Sequence, residues 1–286
     1  MTRIAPLPQI LIEPLVRAAL AEDLGRSGDI TTEATVPADA KARVVMASRE
    51  TGRIAGLDLA EAAFRLMDPA LKIRRLKPEG ADVESGDDIL EVEGNARAIL
   101  TAERVALNFV GRLSGIATLT LKMARAVGNH NVKIAATRKT TPLLRAVEKY
   151  AVQIGGGIPH RYGLDDAVLI KDNHIAMAGG VRVAIRNAKQ HVGHTVKIEV
   201  EVDTLEQLKE VLEEGVDIVM LDNMSLEDMT AAVAMTAGRA LVEASGGVTL
   251  GRIPAIAATG VDLISSGAVT HSAPNFDVGL DYRAAA

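Results

Sequence analysis

Residues 196–223 read VKIEVEVDTLEQLKEVLEEGVDIVMLDN, and this stretch decides the fold. It opens on Val196–Val202, a short apolar run of the kind buried on both faces of a parallel sheet. Asp203 with Glu206 then forms a capping-box-like helix start, and Gly215 stops that helix. A second apolar run, Ile218–Leu221, follows at once and ends in Asp222-Asn223. Strand, helix and strand in this order make a βαβ unit.

The same pattern extends in both directions from about residue 130. Further candidate strands are Val132–Ala136, Ala167–Ile170, Leu241–Ala244 and Asp262–Ser265. Thr141 can cap a helix with Pro142 in its first position, and Gly155 ends it. Ser225 with Asp228 starts another, which ends near Gly238. The repetition fits a (β/α) barrel or a doubly wound sheet. Six units fall short of eight, so the expected fold is α/β with an incomplete barrel over residues 116–286. Residues 1–115 read differently. Ala42–Arg49, Lys72–Lys77 and Ile89–Glu93 look like strands, with turns at Gly80 and Gly86, and Asp58–Met67 and Arg97–Leu113 look like helices. The expectation there is a smaller, mixed α+β N-terminal domain.

Composition narrows the function. The 286 residues are 48% hydrophobic and 24% charged, a globular balance. Aromatics are only 2% and Trp is absent, so the core must rest on aliphatic residues and Met. With no cysteine there is no disulfide, thiolate nucleophile or Cys-type zinc site. A net charge of −5 argues against bulk nucleic-acid binding. Between Met1 and Leu20 the apolar residues are broken by Pro6, Pro8, Glu13, Pro14 and Arg17, which is no signal peptide. No run approaches the ~20 apolar residues of a membrane span. The expectation is a cytoplasmic chain with no membrane partner.

In parallel α/β folds chemistry gathers at the carboxyl ends of the strands. Those ends carry Thr137-Arg138-Lys139-Thr140, Lys171-Asp172-Asn173-His174, Glu199 with Glu201 and then Asp203, Asp222-Asn223, Ser245-Gly246-Gly247, and Ser265-Ser266-Gly267 with His271 beyond. The segment Gly155-Gly156-Gly157-Ile158-Pro159-His160-Arg161 lies between the first two strands. Arg138, Lys139, His160, Arg161 and Lys171 are cationic donors, a set suited to a strongly anionic ligand. Glu201 and Asp222 could hold Mg²⁺, bind sugar hydroxyls or stabilise a cationic transition state. Ser245, Gly246, Gly247, Ser266 and Gly267 offer bare backbone N–H groups that can cradle a phosphate. His271 reaches a phosphate or caps a turn. His174 orients its own loop, and His130, His191 and His194 read as surface residues. Arg104 shares a polar helix stripe with Arg97, Thr101 and Asn108. It either stays on the surface or serves an active-site mouth, its own or a neighbour's. The signatures H-E-x-x-H, G-x-S-x-G and G-x-x-x-x-G-K-[ST] are absent, which removes zinc proteases, serine hydrolases and Walker-type ATPases.

Taken together, the motifs at 137–140, 155–161, 169–174, 199–203, 221–223 and 245–247 resemble quinolinate phosphoribosyltransferase, the carboxylating nicotinate-nucleotide pyrophosphorylase family. The resemblance runs from Glu22-Asp23-Leu24-Gly25 and Gly28-Asp29-Ile30-Thr31-Thr32 to Gly267–Ser272. It implies transfer of phosphoribosyl from phosphoribosyl pyrophosphate (PRPP) to quinolinate, with loss of CO2, and Mg²⁺ as cofactor. It implies a homodimer or higher homo-oligomer with shared sites, in which Arg104 of Thr101-Ala102-Glu103-Arg104 serves the partner. Arg138, Lys139, His160, Arg161 and Lys171 would hold the carboxylates and part of the phosphate charge. Glu201 and Asp222 would take ribose hydroxyls and Mg²⁺, and Ser245, Gly246, Gly247, Gly267 and His271 would surround the 5′-phosphate. One departure is Ala136, where many members carry Asp. The Glu148-Lys149-Tyr150 run and Lys171–His174 separate the chain from a paralogue linked to molybdenum transport. A pyrophosphorylase for another anionic base, a Schiff-base lyase using Lys139 or Lys171, and a phosphate sensor are the competing readings.

Overall fold

A computed structural model describes residues 4–283; residues 1–3 of the N-terminal stretch read above, and residues 284–286, fall outside it. The chain forms two compact units, and they are discontinuous in sequence. One takes the residues up to Leu121, then Thr141–Gly155, then those from Ala273 on; the other takes Lys122–Thr140 and Gly156–Ser272.

The first unit contains α1 (Gln9–Leu24), α2 (Ile30–Thr35), β1 (Lys41–Ser48), β2 (Gly52–Arg53), α3 (Leu57–Met67), β3 (Lys72–Arg75), β4 (Asp82–Val83), β5 (Asp88–Asn95) and most of α4 (Ala96–Ala126). It also holds α5 (Arg145–Ile154) and, from the far end of the chain, β12 (Val278–Tyr282). An antiparallel sheet in the order β12-β1-β5-β3 is its frame, and β2 pairs with β4. The three strands and two helices read from sequence are present. Helix α1 lies in the stretch whose prolines had marked it as broken. Pro14 sits inside α1, and Ile12, Val16 and Leu20 bury one face at helical spacing. Helix α4 runs past the expected end at Leu113; Gly111 and Gly115 weaken the local signal without ending the helix.

Helix α5 starts later than read. Its N-cap is Leu144, so Thr141 and Pro142 precede it. Thr141 instead donates its hydroxyl to Glu148 Oε1 at 2.7 Å, and Arg112 of α4 binds the same fully buried carboxylate at 2.8 Å. These bonds tie α5 to α4 inside the first unit.

The second unit holds β6 (Lys133–Ala135), β7 (Val168–Ile170), α6 (Asp172–Ala178), α7 (Val181–His191), β8 (Ile198–Val202), α8 (Leu205–Glu214), β9 (Ile218–Asp222), α9 (Leu226–Thr236), β10 (Leu241–Ser245), α10 (Ile253–Ala258), β11 (Leu263–Ser265) and α11 (Ala268–His271). All six strands read from sequence pair in one parallel sheet, ordered β6-β11-β10-β9-β8-β7. This is an incomplete α/β barrel with β6 and β7 at its edges. Leu208, Val211 and Leu212 of α8 and Ile253, Ile256 and Ala257 of α10 are buried, as are Val200, Val219 and Val242 of the strands. The cap of α8 is Thr204 rather than Asp203. Its hydroxyl accepts from Gln207 N–H at 3.2 Å, and the Gln207 side chain accepts from the Thr204 N–H in return. Ser225 caps α9 as read, accepting from Asp228 N–H at 3.0 Å.

Candidate active site

Register explains how the sheet builds a site. Residues paired across parallel strands share a face, and side chains alternate faces every residue. Leu169 pairs with Glu199, Glu201 with Met220, Asp222 with Ser245, and Ser265 with Ala135. One face of the sheet therefore carries Glu199 and Glu201, Met220 and Asp222, Glu243 and Ser245, and Ser265. The strand ends on that face open into a cavity of about 570 Å³ within the second unit. A cavity of about 630 Å³ beside β7 is larger, but its lining is mostly apolar, with Leu164, Val168, Ala184 and Val192. The convergent charge lies in the first, which is the better candidate for chemistry.

The cavity gathers most of the residues read from sequence: Thr137, Arg138 and Lys139 after β6, His160 and Arg161, and Lys171 after β7. Glu201, Asp222, Ser245, Gly246 and Gly247 complete it. Charge is sorted around the sheet. Cations follow the edge strands β6 and β7, while carboxylates sit on β8, β9 and β10 between them.

On the cationic side, Lys171 pairs with Glu201. The Lys171 N–H donates to His174 Nδ1 at 3.0 Å, so His174 does orient this loop. Arg138 Nε is buried without a hydrogen-bond partner. Burial disfavours the charged form of Arg161, and the nearby positive charge of Arg138 adds to that, which lowers the Arg161 pKa. Two half-buried guanidiniums close together favour an anion beside them.

On the opposite side, Asp222 Oδ2 accepts from Asn223 Nδ2 at 2.8 Å. Asn223 adopts φ +55°, and its N–H donates to Ser245 O at 3.0 Å. These contacts join the end of β9 to the Ser245–Gly247 turn. A Cβ on Gly246 would stand 2.9 Å from the Asn223 main-chain nitrogen, at φ +83°. Only glycine fits there. Gly246→Ala is expected to weaken binding of an anionic ligand at this turn about tenfold and to cost roughly 1–2 kcal/mol of stability. Steady-state kinetics and thermal denaturation check both. Across the cavity, Thr270 donates its hydroxyl to Lys139 O at 2.7 Å. A Cβ on Gly267 would meet Lys139 Cδ at 2.8 Å and His271 Cδ2 at 2.9 Å, so Gly267 lies close to both side chains. Ser266, Gly267 and His271 are not themselves part of the cavity lining. His271 Nδ1 lies 2.6 Å from Ser272 Oγ. Arg104 is elsewhere: it is exposed on α4 in the first unit, without a hydrogen bond or ion pair among the described residues.

His160 differs from the other cations. Its Nε2 lies 3.2 Å from Glu199 Oε2 and 3.5 Å from Glu243 Oε1, while Nδ1 accepts the Arg161 N–H at 2.8 Å. Burial disfavours the imidazolium, but the two glutamates outweigh it and push the pKa up to about 9. The Nδ1 contact points the other way, because a ring that accepts there has only Nε2–H. At 2.8 Å no second hydrogen fits between Nδ1 and the Arg161 N–H, and the geometry decides for the neutral ring. Glu243 and Asn223 had no role in the sequence reading. The signal for Glu243 was available: a single charge in the apolar run LVEAS, on the same face as Ser245.

A parallel α/β barrel with paired arginines, two lysines, a carboxylate arc and small turns at its strand ends is built for anionic, phosphate-bearing ligands. Comparison with known proteins is more specific. The family described as quinolinate phosphoribosyl transferase, C-terminal domain, matches residues 116–281, and its N-terminal domain matches residues 29–114. A Methanocaldococcus jannaschii protein named "probable nicotinate-nucleotide pyrophosphorylase [carboxylating]" is 46% identical over 277 residues, covering 93% of this chain and 95% of that one. The chloroplastic nicotinate-nucleotide pyrophosphorylase (carboxylating) of Arabidopsis thaliana is 43% identical, covering 96% of this chain and 83% of its own. The solved nicotinate-nucleotide pyrophosphorylase of Francisella tularensis superposes with a TM-score of 0.94 at 40% identity, covering 99% of this chain and all of that one. The chain belongs to the quinolinate phosphoribosyltransferase family.

Proposed function

We propose that this chain transfers the phosphoribosyl group of PRPP to quinolinate and releases pyrophosphate, CO2 and nicotinate mononucleotide. The observation that carries the reading is the half-buried Arg138–Arg161 pair beside Lys139 and Lys171, facing a carboxylate arc in one cavity. Arg138, Arg161, Lys139 and Lys171 would hold the two carboxylates of quinolinate and part of the phosphate charge, and His160 would support Arg161 from behind. The ring nitrogen then attacks C1 of the ribose as pyrophosphate leaves, and C1 becomes cation-like. Glu201 and Asp222 would bind the ribose hydroxyls and stabilise that positive charge. Ser245, Gly246 and Gly247 would cradle the 5′-phosphate with their N–H groups, with Ser266, Gly267, Thr137 and His271 nearby. Departure of the 2-carboxylate as CO2 leaves its electron pair on C2, where the adjacent positive ring nitrogen stabilises it, and C2 then takes up a proton from water to give nicotinate mononucleotide. Positioning and charge stabilisation supply the catalysis, with no covalent enzyme intermediate.

Glu201 and Asp222 are hard oxygen donors that suit Mg²⁺. They would hold it partly through the substrate, where it would neutralise charge on the departing pyrophosphate. We further propose a homodimer or larger homo-oligomer, with Arg104 completing a neighbour's site, and action in the cytoplasm. Among the described residues no helix is long and apolar enough to cross a membrane.

The acceptor is tested by comparing quinolinate with nicotinate, which lacks one carboxylate. Removing the carboxylate that this cationic cluster is proposed to hold should lower kcat/KM for nicotinate by at least about a hundredfold. Equal turnover of the two would point to a different acceptor.

A further inference from the structure

Two buried carboxylates at the floor of the cavity, of which Glu243 is part of its lining, have no part in the reaction as proposed. Glu199 on β8 and Glu243 on β10 are 3% and 0% exposed. They stand on the cavity face, one layer below Glu201 and Ser245. Oε1 of Glu199 and both oxygens of Glu243 are buried without a hydrogen-bond partner. Carboxylates in this condition cost stability, so another role must account for them.

Both lie beside His160, whose Nε2 is 3.2 Å from Glu199 and 3.5 Å from Glu243. The three side chains offer ligand atoms within 4.8 Å of one another, close enough to surround a metal ion. The tautomer argues against one. A metal would need the lone pair of Nε2, and the Arg161 N–H on Nδ1 places the ring's proton there. What remains is a chain of contacts: the two glutamates, the Nε2–H, the ring, and the main chain of Arg161. His160 is held at φ +53°, a left-handed conformation that a non-glycine residue keeps only when its surroundings enforce it. Charge supports the same arrangement, since the Glu199 carboxylate counters the effect of burial and of Arg138 on Arg161.

We infer that Glu199 and Glu243 are positioning residues that act through His160 to fix the main chain of Arg161, and so aim its guanidinium at the acceptor. The inference rests on quinolinate being that acceptor. The phosphate side of the cavity, built on the 245–247 turn, does not depend on this chain of contacts. Loss of either glutamate therefore affects one substrate and spares the other.

The test uses the full chain carrying Glu199→Ala, Glu243→Ala or Glu199→Gln. Steady-state kinetics give KM for each substrate, and ¹⁵N NMR of the His160 ring reports its tautomer. Both alanine variants should raise KM for quinolinate about ten- to a hundredfold. KM for PRPP should stay within about twofold, and the ring should lose its fixed Nε2–H signature. Glu199→Gln keeps an oxygen acceptor for the Nε2–H and should recover most of the affinity. An unmoved KM for quinolinate in both alanine variants overturns the inference. So does a parallel rise in both KM values, which marks a general structural role, or a glutamine variant as poor as alanine. Failure of the underlying reading looks different: the unaltered chain would then turn over no quinolinate.

Discussion

Lys139→Ala and Lys171→Ala each lower kcat/KM by about 10²–10³-fold, because each removes a fixed positive charge from the place where negative charge gathers. Lys139 is held by the Thr270 bond to its carbonyl, and its side chain passes over Gly267 into the cavity. Lys171 enters from β7 and meets Glu201. Neither substitution should unfold the protein. The Lys171 side chain is 44% exposed and Glu201 11%, so losing this half-exposed pair costs about 1–2 kcal/mol. The expected signature is a collapse of activity beside a nearly constant melting temperature. Unchanged turnover in both variants contradicts the placement of the site. Loss of both activity and melting temperature marks the lysines as structural.

Arg104→Ala should inactivate as severely as the lysine variants, although Arg104 lies on α4 in the other unit. If it completes a neighbour's site, two inactive proteins rescue each other. A dimer of one Arg104→Ala and one Lys139→Ala subunit places both defects in one site and leaves the second intact. Random exchange yields half mixed dimers with one good site each, or roughly a quarter of wild-type activity. The measurement is activity after unfolding and refolding an equal mixture. No recovery, with each variant shown to refold alone, argues that the sites are not shared.

Much of this was legible because parallel strands and helix stops leave strong local marks. The six strands of the second unit are short apolar runs closed by polar residues, and all six were read from such marks. Since the polar residues follow the strands, reading the strands also read most of the site. Non-local structure left no such mark. Strand β12 pairs with β1 from the far end of the chain, and nothing near Val278–Tyr282 announces its partner. The grouping of α5 with the first unit rests on Glu148, whose partner Arg112 is remote in sequence. Helix α8 shows a finer failure: Asp203 with Glu206 and Thr204 with Gln207 are equally good capping patterns, one residue apart. His160 shows the deepest. Its residue type marks a cation for the ligand, but only the fold reveals that both ring nitrogens are turned to the protein. Glu243 passed unnoticed because a lone charge in a strand means little until its face is known.

The most direct test of the whole account is one incubation with quinolinate, PRPP and Mg²⁺, following nicotinate mononucleotide and CO2 together. The account predicts that both form in equal amounts, that pyrophosphate matches them, and that omitting quinolinate stops PRPP consumption. Consumption of PRPP with another base but no release of CO2 from quinolinate would contradict it, and would leave the phosphate side of the cavity standing without its proposed acceptor.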